Sequence, residues 1–291
     1  MFKRTGNIFK MLSIALLSVT WLTSCIYETD SNCMLYTIKP CLEDNSGAQR
    51  NDTAVKRIVA YLFTRSKFER EVEAQSNGDF IVSFDKNVNT ALLLWGYPST
   101  DSLMVNIPKV DESINDVSLS LLSSMGNTVP DGLYYGRYDY KPSAQKPAGN
   151  EISVAMHTER AAVHVVVENL TEMYGSGGSY GIEISGFRNF VAFNDTIGGD
   201  SVTYNPKASF DTKNNLCSDA VYTLPTKIGE GVTVTIYRND KLIWQSAKDS
   251  DGNAATLASG DNKALVVDVE KRGVGFQIMS WNDYVVSTVI N

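Results

Sequence analysis

The residue with the most specific chemical context in this sequence is Cys25. It follows Leu22-Thr23-Ser24, where small side chains before the cysteine leave the backbone open to a peptidase. A thiol directly after such a cleavage point can form a thioether to a diacylglyceryl group. Each buried acyl CH₂ contributes about 0.8 kcal/mol to membrane binding, so several chains on one cysteine hold a protein firmly. We therefore predict that Cys25 is lipidated.

The segment before this cysteine has the organisation of an export signal. A short basic stretch precedes the apolar run Met11–Leu22, which has the length of a signal-peptide core. A helix of this length rises roughly 18 Å, less than a hydrocarbon core of about 30 Å, so it is a poor permanent span. Together with the four residues 22–25, it resembles the lipobox of bacterial lipoproteins. Residues 1–24 are predicted to be removed, leaving the polar, acidic tether 26–32.

Three further cysteines, Cys33, Cys41 and Cys217, remain after Cys25 is assigned to the lipid. The bacterial envelope is oxidising, so one disulfide is expected. A Cys33–Cys41 bridge would close a short loop, whereas a bridge from either of these residues to Cys217 would join distant parts of the chain. Connectivity does not follow from sequence. No Cys-x-x-Cys pair occurs, so a structural zinc site is not indicated.

Composition argues against catalysis and against nucleic-acid binding. Without the signal segment, 23 basic residues face 33 acidic ones, a net charge of −10, which repels nucleic acid and anionic headgroups. The two histidines, His157 and His164, lie an odd number of residues apart, which places them on opposite faces of a continuous strand. No Gly-x-Ser-x-Gly motif is present. We predict no enzyme activity, no catalytic or metal-binding residues and no cofactor.

Strand patterns dominate the rest of the chain. Val55–Phe63 and Ala91–Tyr97 are mostly apolar, as buried strands are. Residues 66–75 alternate and are followed by Asn77-Gly78, which predicts a hairpin, although their Glu, Arg and Gln content leaves a helix open. Asn239-Asp240 predicts a second hairpin. Many short strands without sustained helical periodicity indicate an all-β protein made of β-sandwiches.

The stretch Ser123–Asn150 is the part of the sequence most like a loop. It contains seven glycines and prolines, residues that interrupt regular structure. We place a domain boundary near its end, giving a lipidated N-terminal sandwich at 25–148 and a C-terminal sandwich at 149–291. Each part has the size of an ordinary domain.

Leu133–Tyr140 is dense in tyrosine. Exposed tyrosines can form a sugar platform or a protein interface, because the ring is rigid and amphipathic. Such a platform would draw on Trp95, Tyr134, Tyr135 and Tyr138, and would make the chain a surface glycan-binding lipoprotein. The alternative is a segment that packs between the domains.

Several segments together resemble one family, the fimbrial anchor lipoproteins of Bacteroidota (FimB-type). The matching segments are Cys25–Glu28, Val59–Phe63, Leu93–Gly96, Leu133–Gly136 and Glu159–Val165. The resemblance implies two tandem transthyretin-like Greek-key β-sandwich domains. It also implies a pilus base that is fixed by its lipid to the outer membrane at the cell surface, limits polymerisation and supports cell adhesion, with fimbrial stalk subunits as partners.

The C-terminal segment is the candidate for pairing with a stalk subunit. It is apolar and rich in β-branched residues, and consists of Tyr284, Val285, Val286, Ser287, Thr288, Val289 and Ile290. A donated strand gains affinity from main-chain hydrogen bonds and specificity from alternate side chains. The same segment could instead close the second sandwich of its own chain.

Overall fold

The computed structural model describes residues 33–98, 103–142, 149–270 and 273–290. The predicted signal peptide and the predicted lipidation residue Cys25 lie outside these residues. The described chain is almost entirely β-structure, which confirms the all-β fold class. No helix in the described part of the chain is long and apolar enough to cross a membrane.

Nineteen strands occur in the described residues. The first nine are β1 Cys33–Leu42, β2 Arg57–Thr64, β3 Lys67–Val72, β4 Phe80–Asp85, β5 Thr90–Tyr97, β6 Leu103–Val105, β7 Ser118–Leu121, β8 Tyr134–Tyr140 and β9 Glu151–Thr158. The others are β10 Ala161–Glu168, β11 Tyr180–Ala192, β12 Ile197–Tyr204, β13 Ala208–Phe210, β14 Leu216–Ser218, β15 Val221–Thr223, β16 Thr233–Arg238, β17 Lys241–Ser246, β18 Asn262–Glu270 and β19 Gly273–Ser280. Two α-helices, α1 Leu170–Tyr174 and α2 Trp281–Ile290, and a 3₁₀ turn at Ser123–Met125 complete the fold.

The first sheet contains seven strands in the order β3-β2-β5-β8-β9-β1-β4. The side chains on one face of this sheet form a core contributed by its own strands alone. Tyr36 and Ile38 of β1 meet Phe80, Val82 and Phe84 of β4 in this core. The sheet therefore folds over its own apolar face to make the first sandwich.

The second sandwich is built from two sheets that enclose a separate core. One sheet has the order β13-β14-β10-β18-β19, with β15 also paired to β10. The other has the order β17-β16-β11-β7-β6, with β12 also paired to β11. The apolar residues of β10, β11, β16 and β18 alternate toward the space between the sheets, as expected for a sandwich.

The two sandwiches are joined by a third apolar core. Strand β5 is buried on both faces, so Leu93 and Trp95 point away from the first core and toward the second sandwich. Phe193 is the central contact from that side, with its ring centroid 5.0 Å from that of Tyr61 and 5.7 Å from that of Trp95. Aromatic pairs at such distances add to the free energy gained by burial.

The sheets divide the chain differently from the predicted boundary after residue 148. Strand β9 lies after that boundary but pairs with β1 and β8 in the first sheet. Conversely, β6 and β7 precede it but belong to a sheet of the second sandwich, through β11. After the excursion through β6 and β7, the chain leaves the first sheet for the last time between Thr158 and Ala161. Loop composition marks flexible backbone, whereas the sheet to which a strand belongs depends on distant partners.

The predicted hairpin at Asn239-Asp240 is confirmed. It joins β16 to β17, and both residues have positive φ, at 49° and 62°, as a type I′ turn requires. Asn77-Gly78 also forms a turn, in which the Gly78 N–H donates to the Gln75 carbonyl at 2.9 Å. The hairpin closes through one antiparallel bridge, between Ala74 and Phe80, and the longer ladder of β4 is formed with β1 instead of β3.

The C-terminal segment is not a strand in this structure. Tyr284–Ile290 lies within helix α2, so the predicted strand conformation is wrong for the isolated chain. The Ser280 hydroxyl oxygen accepts a hydrogen bond from the Asp283 N–H at 3.1 Å, and a serine before the first turn is a common N-terminal cap. This cap satisfies one of the main-chain N–H groups that the first turn of α2 would otherwise leave unpaired.

Candidate functional site

Strand β1, which follows the predicted tether, lies inside the first sheet, between β9 and the edge strand β4. It pairs with β4 in antiparallel register from Cys33 to Ile38 and with β9 in parallel register from Thr37 to Leu42. The Thr37 N–H donates to the Asn150 carbonyl at 2.7 Å, and Lys39 Nζ lies 2.8 Å from a carboxylate oxygen of Glu151. The first described residue after the tether is thus already held on one side, and both sides are paired by Thr37.

Of the disulfides that the sequence left open, a Cys33–Cys41 bridge is incompatible with this strand. Both residues lie on β1, eight positions apart, which separates their Cα atoms by roughly 26 Å at about 3.3 Å per residue. A disulfide requires Cα atoms within about 7 Å. Cys41 and Cys217 are free thiols in the structure. Gln49 Nε2 lies 2.6 Å from the Cys41 sulfur.

Burial is the largest cause of a raised pKa at the Cys217 thiol. Together with the charge of Asp211 and a hydrogen bond to it, burial brings this pKa to about 11. The Cys217 sulfur lies 3.8 Å from an Asp211 carboxylate oxygen. Such a thiol is a poor nucleophile at neutral pH, because the reactive species is the thiolate.

Of the two alternatives for the tyrosine-rich segment, the structure does not support the exposed aromatic platform. Trp95 is fully buried, and Tyr134 and Tyr135 are also buried. Tyr135 packs on Trp95 with ring centroids 4.8 Å apart, in the core between the two sandwiches. Tyr138 is half-buried against Phe84. Tyr135 therefore packs between the domains, as the alternative interpretation expected. The four candidate sugar-binding residues pack in the cores instead of forming an exposed surface.

A buried carboxyl lies where the chain passes from the first sandwich to the second. Glu159 is 2% exposed and follows β9 directly. The Ser259 hydroxyl donates to it at 3.4 Å. Burial and, to a smaller extent, the negative charge of Asp195 raise the pKa of Glu159 to about 8. Burial also raises the pKa of Asp195, against the opposing charge of Arg137.

The next residue, Arg160, contacts residues on both sides of the junction between the two sandwiches. Its guanidinium pairs with Asp131 and lies over the Tyr222 ring, 3.5 Å from the ring centroid. The main chain continues this connection, because the Glu159 N–H donates to the Leu133 carbonyl at 3.0 Å. The segment Glu159-Arg160 carries part of the family resemblance, but nothing in the sequence indicated that these two charges meet the domain junction.

Helix α2 covers the outer face of the sheet that contains β10, β18 and β19. Trp281 stacks on His164 with ring centroids 3.8 Å apart and planes 12° apart. Tyr284 is buried against Val166 and Val266. Burial lowers the pKa of His164, a shift that a hydrogen bond with Asn262 opposes. Among the described residues, no group of three or more His, Cys, Asp or Glu is placed to hold a metal ion.

Comparison with known proteins gives a consistent family. A family model described as fimbrillin-A associated anchor proteins Mfa1 and Mfa2 matches residues 27–282. The structure is similar to the fimbrial anchor protein Mfa2 from Porphyromonas gingivalis, with a TM-score of 0.60 and 13% identity over 85% of this chain and 97% of that one. No curated protein sequence matches this chain.

Two further solved structures have the same fold. A candidate adhesin from Bacteroides ovatus gives a TM-score of 0.57 at 16% identity, covering 87% of this chain and 96% of that one. A candidate polysaccharide-binding protein from Bacteroides thetaiotaomicron gives 0.58 at 14% identity, covering 85% and 95%. At these identities the likeness concerns the fold.

Proposed function

Since this chain belongs to the family of fimbrillin-A associated anchor proteins, we propose that it fixes the base of a fimbrium to the outer membrane through a lipid on Cys25. The observation that carries the proposal is the position of β1. Its first residue follows Cys25 by eight positions in the sequence, and the strand lies inside the first sheet between β4 and β9. The role is structural and needs no catalytic group.

This arrangement suits a tether that bears load. A pull on the lipid acts along β1, whereas the hydrogen bonds to β4 and β9 run across it. The bonds are therefore loaded together in shear instead of one after another. The ion pair between Lys39 and Glu151 joins the same strand to β9. A fimbrium held by one molecule at its base requires such resistance.

The same position of β1 supports a role in ending polymerisation. The first sheet has a strand of its own chain at each of its seven places, so an incoming strand finds no internal gap. At the β3 edge, the Phe68 N–H donates to the Glu112 carbonyl at 2.8 Å, and the Asp111 N–H donates to the Phe68 carbonyl at 2.9 Å. Covered edges resist strand addition.

Growth of the fimbrium then has to proceed from elsewhere on the anchor. We assign this role to the C-terminal segment Tyr284–Ile290, which pairs as a strand with the stalk subunit next to the anchor. Its β-branched composition suits a strand. Deletion of residues 284–291 is expected to release fimbriae while leaving the two sandwiches folded, and an unfolded deletion variant would contradict this assignment.

The lipid part is tested in cells with Cys25→Ser, using Cys41→Ser as the matched control. We expect the Cys25 variant to shift fimbriae from the cell pellet to the medium, and electron microscopy to show longer fibres because the stop is absent from the outer membrane. The Cys41 variant should behave like the parent. Fimbriae that remain on cells carrying Cys25→Ser would contradict the proposal.

A further inference from the structure

Helix α2 has a sequence that fits a strand better than a helix. Seven of its ten residues form the segment Tyr-Val-Val-Ser-Thr-Val-Ile, and β-branched side chains lose rotamer freedom in a helix. Isolated helices shorter than about 12–15 residues are marginal in water even with good helix formers. The helical state of α2 must therefore be maintained by what it packs against.

Trp281 and Tyr284, in the first turn, make the aromatic and apolar contacts of α2 with the sheet beneath it. Trp281 stacks on His164 and Tyr284 is buried on Val166 and Val266. Beyond Tyr284 the chain is more exposed, with 39% of Val285 and 56% of Val286 accessible to solvent. Trp281 and Tyr284 thus dock a helix whose C-terminal residues are mostly β-branched, a composition typical of extended backbone.

Release would change the reach of the segment. Ten residues span about 15 Å as a helix and about 33 Å as a strand. Only the extended form presents side chains alternately to two faces, which is what pairing at a sheet edge needs. The docked helix and the donated strand therefore cannot coexist.

We propose that α2 is the stored form of the strand that the anchor donates: it is held as a helix on the outer face of its own sheet by Trp281 and Tyr284, and it converts to a strand when a β-sandwich subunit with an open sheet edge captures it. This inference rests on the proposed role of Tyr284–Ile290 in subunit pairing. The helical form keeps the backbone of this β-branched segment from pairing as a strand until a partner is present.

The first test weakens the docking of α2 on its own sheet. Trp281→Ala removes the stack on His164, and Phe210→Ala is the control, because Phe210 is a partly exposed aromatic residue of the same sandwich that contacts Tyr180 instead of the helix. Hydrogen exchange of amides 285–290 is expected to accelerate about tenfold or more in the Trp281 variant. The apparent affinity of a state scales with its population, so association with purified fimbrial subunits of the same strain should accelerate by a similar factor.

The second test separates a donated strand from a helix that docks as a helix. Val286→Ala favours helix over strand, whereas Val286→Thr keeps the β-branch. Storage predicts about two- to threefold weaker subunit binding for the alanine variant and little change for the threonine variant. Tighter binding of the alanine variant would overturn the inference, as would faster exchange in Trp281→Ala without faster association.

Deletion of residues 284–291 distinguishes this inference from the proposed function beneath it. If the deletion variant binds fimbrial subunits as the parent does, the pairing role of the segment fails. If the deletion abolishes binding but the Trp281 and Val286 variants bind like the parent, the pairing role stands and the storage inference alone is overturned.

Discussion

The buried carboxyl at the domain junction predicts an unusual pH dependence of stability. Glu159 is replaced by glutamine, which keeps the shape of the side chain and removes the titration. In the folded protein, burial and Asp195 raise the pKa of Glu159 from 4.5 to about 8. The folded state therefore keeps a proton that the unfolded chain loses, and the stabilisation is complete below pH 4.5 and declines as the pH rises from 4.5 to 8.

The size of the effect follows from the two pKa values. One pH unit corresponds to about 1.36 kcal/mol. Relative to a chain without this group, the free energy of unfolding of the parent falls by about 3 kcal/mol between pH 4.5 and pH 7, and by about 5 kcal/mol over the full titration of both states. The difference in free energy of unfolding, Glu159→Gln minus parent, should therefore increase by about 3 kcal/mol from pH 4.5 to pH 7. A constant offset between the two proteins can arise from the amide itself and carries no weight.

The assay is urea unfolding followed by tryptophan fluorescence at half-unit pH steps from 4.5 to 8. Glu73→Gln, at an exposed position, is the matched control and should run parallel to the parent. Curves for Glu159→Gln that also run parallel to the parent would refute the reasoning, because Glu159 would then titrate alike in the folded and unfolded chain.

Three other predictions concern the β11 bulge, the junction core and a thiol. Gly186→Ala should lower the free energy of unfolding by about 3 kcal/mol or more, since φ is +100° there and the new Cβ meets the Gly231 carbonyl oxygen. The control Gly252→Ala, with φ +86° and open space around the Cβ, should lower it by about 1 kcal/mol. Equal losses in urea unfolding would contradict this. Phe193→Ala should lower it by about 3–5 kcal/mol and separate the calorimetric transition into two, because Phe193 bridges the sandwiches; one unshifted transition would count against the junction. Cys217 should react with iodoacetamide at pH 8 about 100-fold more slowly than in urea, because its pKa is raised to about 11, and equal rates by mass spectrometry would disprove the burial argument.

Local chemistry in the sequence predicted much of the β-structure. Apolar runs such as Val55–Phe63 and Ala91–Tyr97 correspond to the central strands β2 and β5. Asn239-Asp240 correctly indicated a hairpin, because positive φ at both positions is a local property of the turn. The resemblance to fimbrial anchors, carried by short segments in a fixed order, was confirmed by the family match.

The remaining features depend on residues far apart in the chain. The environment of the buried Glu159 includes a hydrogen bond from Ser259 and the negative charge of Asp195, and neither residue is near Glu159 in sequence. Strand β4 follows a hairpin turn but pairs with β1, some 45 residues earlier. The composition of Tyr284–Ile290 indicated a strand, whereas docking of Trp281 and Tyr284 on the sheet overrides that preference. For Trp95 and Tyr135 the sequence left a surface platform and interdomain packing as alternatives, because no local pattern distinguishes the two, and the structure places both side chains in the core between the sandwiches.

The central claim is that one acylated thiol holds this chain, and what is attached to it, at the membrane. The most direct measurement is mass spectrometry of the N-terminal peptide from the mature protein purified from outer membranes. We expect a peptide that begins at Cys25 and carries the mass of a diacylglyceryl group with an amide-linked acyl chain. A mature peptide with an unmodified Cys25, or one that retains residues 23–24 before it, would contradict the account.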